Sequence, residues 1–299
     1  MGQNVLVELS DALADAAEKA GKATVLVNAR RRMPASGIVY APDLILTADH
    51  VVEQETDITI ILPDGTETSA NLAGRDAGSD LAVLKLERDA GSVAEITKSP
   101  ARLGQIALVL ARPSPDGIEA SLGTVSAIGG PIRTGHGGML ERYIRADSIS
   151  YPGFSGGPLV AADGTVLGLN TSGLARGAAI TIPADIAWKV AEILVKHGHI
   201  KRGYLGIRSQ TVEIPNASQK ALKRNQSTGL LVVGVENDSS ASKGGLIVGD
   251  ILVAVASEPV LHHDELFTRL SGDVAGKSTP IEILRGGQPQ TLNVLIGER

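Results

Sequence analysis

The sequence predicts a mainly β protein in two parts, a large domain of antiparallel barrel or sandwich type followed by a smaller mixed domain. Three observations carry that expectation. Short β-branched runs recur at close spacing between turn residues from Ala23 to Leu169. A helical pattern with an apolar stripe of Ile186, Val190, Ile193 and Leu194 closes this segment near Gly198. After a short polar connector, His197 to Gly203, the strand pattern starts again. A chain of 299 residues exceeds the usual single domain, which agrees with one large and one smaller unit.

Taken in order, the first element is a helix over Ser10 to Ala20, with Ser10 as its cap, Leu9, Leu13 and Ala16 or Ala17 on one face, and Gly21 as its end. Strands follow at Thr24–Val27, Gly37–Tyr40, Leu44–Leu46 and Ile58–Leu62, separated by turn signals at Pro42-Asp43 and Pro63-Asp64-Gly65. Further strands read at Leu81–Leu86, Ile106–Leu110, Gly123–Ile128, Leu159–Val160 and Val166–Leu169, with Asp163-Gly164 as a hairpin turn between the last two. Pro183 precedes the closing helix. The second part carries strands at Gly229–Val233, Asp250–Val255 and Pro280–Leu284 and a helix at Asp264–Leu270. No internal repeat or low-complexity tract interrupts this pattern.

Composition narrows the function classes. Hydrophobic residues make up 43% and charged residues 20%, an ordinary globular balance, while aromatics at 2% leave the cores to Val, Ile, Leu and Ala. A net charge of -5 argues against nucleic acid, which needs a basic face. No apolar run approaches the ~20 residues of a membrane span. The absence of cysteine excludes disulfides and thiolate metal sites. The start, Met1 to Leu9, has no basic segment and no long apolar run, so no signal peptide is read, and the chain fits a cytoplasmic protein or a mature form.

The densest chemical signal is Tyr151-Pro152-Gly153-Phe154-Ser155-Gly156-Gly157-Pro158. Glycines and prolines crowd a single serine there, and a backbone so tightly bent can offer both a hydroxyl and adjacent N–H groups to one point. Acyl transfer needs that pairing of nucleophile and oxyanion donors. A serine nucleophile needs a base, and the base an orienting acceptor. His50 ends the run Leu44–Ala48 and Asp80 stands just before Leu81–Leu86. Alone, each has a structural reading, as a hydrogen-bonded strand-end histidine, a turn aspartate and a glycine-loop serine. Asp49 is a poor rival as orienter, because adjacent side chains on extended backbone point apart. Together His50, Asp80 and Ser155 follow the order of chymotrypsin-type enzymes. Gly153-x-Ser155-x-Gly157 also fits the nucleophile elbow of esterases and lipases, with His197 as the downstream partner, but that elbow requires a helix after the serine, where Leu159–Val160 reads as strand.

Leu46-Thr47-Ala48-Asp49-His50-Val51-Val52, Ser79-Asp80-Leu81-Ala82-Val83-Leu84-Lys85-Leu86 and Gly153-Phe154-Ser155-Gly156-Gly157-Pro158-Leu159-Val160 resemble the three catalytic blocks of HtrA/Deg serine proteases. Arg202-Gly203-Tyr204-Leu205-Gly206-Ile207 and the stretch Ser242 to Leu252 resemble that family's PDZ domain. The resemblance implies a chymotrypsin-like double β-barrel protease domain with an N-terminal helix over 1–199 and a PDZ domain over 203–299. It implies an ATP-independent serine endopeptidase of protein quality control that cuts unfolded or misfolded chains, without cofactor or metal. Ser155 would be the nucleophile, His50 the base, Asp80 its orienter, and the amides of Gly153 and Ser155 the oxyanion hole. By the same resemblance Ile149 lies at the base of the specificity pocket, with Ala179, Ile180 and Thr181 as a wall, which implies cleavage after small or medium aliphatic residues. Tyr204, Leu205, Gly206 and Ile207 would form the loop that binds a peptide's C-terminal carboxylate, the peptide adding a strand beside helix Asp264–Leu270.

The resemblance further implies substrates that are unfolded proteins, C-terminal peptides as PDZ partners, a homotrimer and an extracytoplasmic, periplasmic location. The sequence departs from the pattern in three places. Phe154 replaces a small or polar residue beside the nucleophile, the segment Arg30–Ser36 is much shorter than the regulatory loop of the best-known members, and no aromatic residue precedes Tyr40. A proteolytically dormant binding module or holdase is the alternative of a different class.

Overall fold

The computed structural model describes residues 4–135, 138–174, 179–270 and 274–298. The chain divides into two compact units, Met1–Ile200 and Lys201–Arg299.

In the first unit helix α1 (Val5–Gly21) leads into β1 (Thr24–Asn28), β2 (Ala35–Ala41), β3 (Leu44–Ala48), β4 (Ile58–Ile61), β5 (Glu67–Asp76) and β6 (Leu81–Leu86). These strands close into a barrel in the order β1-β2-β3-β6-β5-β4. A second barrel follows, from β7 (Ile106–Ser114) and β8 (Gly117–Gly129), past a small hairpin of β9 (Ile132–Arg133) and β10 (Met139–Leu140), to β11 (Tyr143–Ala146), β12 (Pro158–Ala161), β13 (Val166–Thr171) and β14 (Ile180–Pro183). Its strands close in the order β11-β14-β13-β12-β7-β8. Two six-stranded barrels thus make the mainly β double-barrel fold.

The first barrel is filled as its β-branched pattern dictates. Val25, Val27, Ile38, Ile45, Ile58, Ile60, Leu81 and Val83 are completely buried in one cluster. The second barrel's cluster is smaller and contains a large, fully buried aromatic, Phe154, among Val109, Val125, Ile144 and Leu159.

Helix α1 begins earlier than Ser10. Asn4 caps it, its side-chain oxygen accepting from the Leu6 amide, so the Val5–Leu9 turn is helical and exposed and Ser10 lies inside the helix. Helix α2 (Ala184–His197) ends at Gly198, which adopts a left-handed conformation. Its buried stripe is Ala187, Ala191 and Leu194, while Ile186 and Val190 pack only at the margin. The Arg75 amide of β5 donates to the Gly198 carbonyl at 2.9 Å, which ties the end of α2 to the first barrel.

The second unit holds β15 (Gly203–Tyr204), β16 (Ile207–Glu213), α3 (Asn216–Leu222), β17 (Thr228–Val235), α4 (Ser240–Lys243), β18 (Ile251–Val255), β19 (Glu258–Pro259), α5 (His263–Leu270), β20 (Ser278–Arg285), β21 (Gln288–Leu295) and β22 (Gly297–Glu298). Its main sheet runs β16-β17-β18-β20-β21, and Leu205, Leu230, Leu252, Leu266, Ile281, Ile283 and Val294 form the core. Strand β16 pairs with β17 on one side and is open on the other.

Candidate active site

Strands β3 and β6 are antiparallel neighbours with Ala48 opposite Leu81, so the residue after β3 and the residue before β6 meet at one end of the first barrel. The chain makes a single helical turn over Asp49–Val51 there. The Asp49 amide donates to the Asp80 carbonyl at 3.1 Å and the His50 amide to Asp80 Oδ1 at 2.9 Å. His50 Nδ1 lies 2.9 Å from Asp80 Oδ2. Asp80 is buried and sits in the left-handed region at φ 54°, a conformation that its several hydrogen bonds hold in place. The Thr171 hydroxyl also donates to Asp80 Oδ2. Asp49 turns away from the imidazole and binds Arg75 Nε at 2.6 Å.

Ser155 comes from the second barrel, on the turn before β12. Gly153 at φ 92° and Gly156 at φ 86° give the turn its shape, and a side chain on Gly156 would collide with the Ser36 carbonyl. Ser36 is a clasp between the barrels. Its amide donates to the Ser155 carbonyl at 3.1 Å, its hydroxyl donates to the Gly153 carbonyl at 2.9 Å, and the Arg112 amide donates back to that hydroxyl at 2.8 Å. Both carbonyls are thereby engaged. The amides of Gly153 and Ser155 have no partner among the described residues, which leaves two donors free for a ligand oxygen. Phe154 between them is buried, edge-on to Tyr151 at 5.5 Å between ring centres, and anchors the turn in the barrel core.

His50 and Ser155 line one cleft of about 500 Å³ together with Arg30, Gly153, Thr171, Ser172 and Ala179. No hydrogen bond joins the imidazole to Ser155; the Ser155 hydroxyl instead lies 3.2 Å from the Ser172 hydroxyl. Sequence reasoning passed over Thr171, Ser172, Gly173 and Ser36, whose residue types carry no signal until the fold brings them to the site. A Cβ on Gly173 would lie 2.5 Å from Asp80 Oδ2 and 2.7 Å from His50 Nδ1, so this glycine makes room for the His–Asp pair.

The expected pocket residues divide. Ala179 lines the cleft. Ile149 does not: it is 60% exposed, with its amide bonded to the Ser121 hydroxyl at 3.0 Å, so it forms neither a pocket base nor barrel core. Ile180 and Thr181 are buried within β14 outside the cleft lining, and the Thr181 hydroxyl donates to Asn170 Oδ1 at 2.6 Å. No carboxylate lines the cleft among the described residues. His197, at the exposed end of α2, is outside it, and Ser155 leads into strand β12 rather than a helix, which removes the esterase elbow.

In the second unit Tyr204 donates to Glu236 Oε2 at 2.5 Å, Leu205 is buried in the core, and Ile207 opens the free-edged strand β16. The amides of Leu205 and Gly206 have no partner among the described residues. His263, at the start of α5, reaches both the Ser209 hydroxyl and the Ser209 carbonyl of β16 at 3.1 Å.

A trypsin-like peptidase domain matches residues 35–169 and a PDZ domain matches residues 203–296. The chain is 33% identical over 276 residues to a probable periplasmic serine endoprotease DegP-like of Rhizobium meliloti (strain 1021), covering 90% of this chain and 54% of the relative. It is 34% identical over 271 residues to a protein of the same name from Pseudomonas savastanoi pv. phaseolicola, covering 88% of this chain and 55% of the relative. The chain therefore spans about half the length of the curated relatives it matches. Among solved structures it is similar to a serine endoprotease from Yersinia pestis, at 29% identity and a TM-score of 0.78, over 96% of this chain and 98% of that one. It is also similar to the HtrA-type protease AlgW with a decapeptide, at 27% identity and a TM-score of 0.77, over 96% and 98% of the two chains.

Proposed function

The chain belongs to the HtrA/Deg family of serine proteases, and from that premise we propose that it is an ATP-independent serine endopeptidase of protein quality control that cuts unfolded or misfolded polypeptides. The observation that carries this reading is the convergence of His50, held by buried Asp80, and Ser155 on one cleft with two free amides beside the serine. In the reaction the Ser155 hydroxyl attacks the peptide carbonyl and His50 takes its proton, then returns it to the leaving amine. Asp80, fixed by Thr171 and by the His50 amide, holds the imidazole through Nδ1 and stabilises its protonated form. The amides of Gly153 and Ser155 receive the oxyanion.

Ala179 and the absence of a cleft carboxylate among the described residues support cleavage after small or medium aliphatic residues rather than after Lys or Arg. In the second unit a peptide C-terminus docks its carboxylate on the loop Tyr204–Ile207 and extends along the open edge of β16. The similarity to probable periplasmic endoproteases supports a periplasmic location, and assembly as a homotrimer rests on the family resemblance alone. The test is hydrolysis of unfolded casein, blocked by a serine-directed phosphonate; an intact casein band after prolonged incubation contradicts the reading. One observation favours a dormant, peptide-holding protein instead: the Ser155 hydroxyl is engaged with Ser172 and not with His50. In that case the protein suppresses aggregation of unfolded chains without shortening them.

A further inference from the structure

Residues 171–173 are fixed relative to the His–Asp pair. The Thr171 hydroxyl donates to Asp80, the Gly173 amide donates to Thr171 Oγ1 at 2.9 Å, and Gly173 packs over both Asp80 and His50. Ser172 between them is exposed, lines the cleft, and has its hydroxyl 3.2 Å from that of Ser155. A hydroxyl has one proton to donate. If Ser155 gives it to Ser172, the proton is not available to His50. If Ser172 were the donor, Ser155 would keep its own proton and a second lone pair, so donation from Ser155 to Ser172 is the arrangement that quiets the nucleophile.

We propose that Ser172 is a positioning residue that holds the Ser155 hydroxyl in a resting orientation, off His50, until a peptide in the cleft displaces it. The inference rests on the reading of Ser155 as nucleophile. Because Ser172 is exposed within the cleft, the N–H and C=O groups of an incoming peptide compete for its hydroxyl, and their success frees Ser155 to turn to the imidazole. Binding of a substrate thus raises the reactivity of the site it enters.

The test uses diisopropyl fluorophosphate, which is too small to fill the cleft as a peptide does, with the labelled residue mapped by mass spectrometry. Ser172→Ala labels at Ser155 about fivefold faster than the parent, the worth of one net hydrogen bond expressed as a rate. Ser172→Val labels equally fast, and Ser172→Thr, the same shape with the hydroxyl restored, returns to the parent rate. With a peptide substrate, Ser172→Ala lowers KM about fivefold and leaves kcat unchanged, because the bond is already broken in the bound state. A mere packing role would instead lower kcat. Labelling of Ser172→Ala at or below the parent rate overturns the proposal, as does a Ser172→Thr variant that behaves like Ser172→Ala. Failure of the underlying reading looks different: no variant takes the label at position 155, and the proposal falls with it.

Discussion

The first barrel orders its strands β1-β2-β3-β6-β5-β4, and the second repeats that plan with β7-β8-β11 followed by β14-β13-β12. The two differ in how they hold their chemistry. His50 and Asp80 sit at the ends of adjacent strands, located by the ladder that sets Ala48 opposite Leu81 and by backbone bonds between the two residues. Ser155 sits on a glycine turn, located by an aromatic anchor on one side and by the Ser36 clasp on the other. His50 and Asp80, the proposed base and orienter, therefore inherit the rigidity of a sheet, while Ser155, the proposed nucleophile, depends on its glycine turn and on contacts between the barrels.

Substitutions can break or sharpen that contrast. Phe154→Ala has the largest effect on stability, about 3–5 kcal/mol in urea titration, the usual cost of emptying a buried phenylalanine site. It lowers kcat in the folded protein as well, whereas Ile60→Ala in the first barrel destabilises by about 2–5 kcal/mol and leaves kcat of the folded fraction near normal. Equal loss of kcat in both would erase the difference between the barrels. Gly173→Ala puts a methyl against Asp80 and His50, and the expected displacement of the imidazole costs about 10²-fold in turnover with a nearly unchanged melting temperature. Ser36→Ala strands the Gly153 carbonyl and costs about 1–3 kcal/mol, read by thermal denaturation together with a slower casein assay.

The smallest effect concerns the hairpin turn of the second barrel. Hydrogen bonds from Thr165 hold the Asp163 carboxyl below its ordinary range. A carboxyl so depressed on folding stabilises the protein above the ordinary carboxylate range, and the contribution is lost as pH falls through the folded value. Being largely exposed it is worth less than ~0.5 kcal/mol. Asp163→Asn should lower the melting temperature slightly at pH 7, and the difference should vanish in acid.

Much of this was legible in the sequence, for reasons that differ by residue. Short β-branched runs made most barrel strands visible, and the crowding of glycine and proline around Ser155 marked its turn. Strands β5, β16 and β21 escaped because their polar, half-exposed sequences lack the alternation that marks a buried face. The shared plan of the barrels escaped too, since it lives in pairing order and not in residue identity. Thr171, Ser172 and Gly173 were invisible because their importance comes from Asp80 and Ser155, which are distant along the chain. Ile149 was misplaced by counting residues back from the serine; the loop carries it outward to solvent.

The most direct test of the convergence of the two barrels is a mutant cycle on casein hydrolysis with His50→Ala, Ser155→Ala and the double variant. Residues that act as one unit should each cost ~10⁶-fold in kcat alone, with no further loss when both are removed. Losses that multiply, or a His50→Ala variant with near-normal turnover, would contradict the claim that the first barrel's imidazole serves the second barrel's serine.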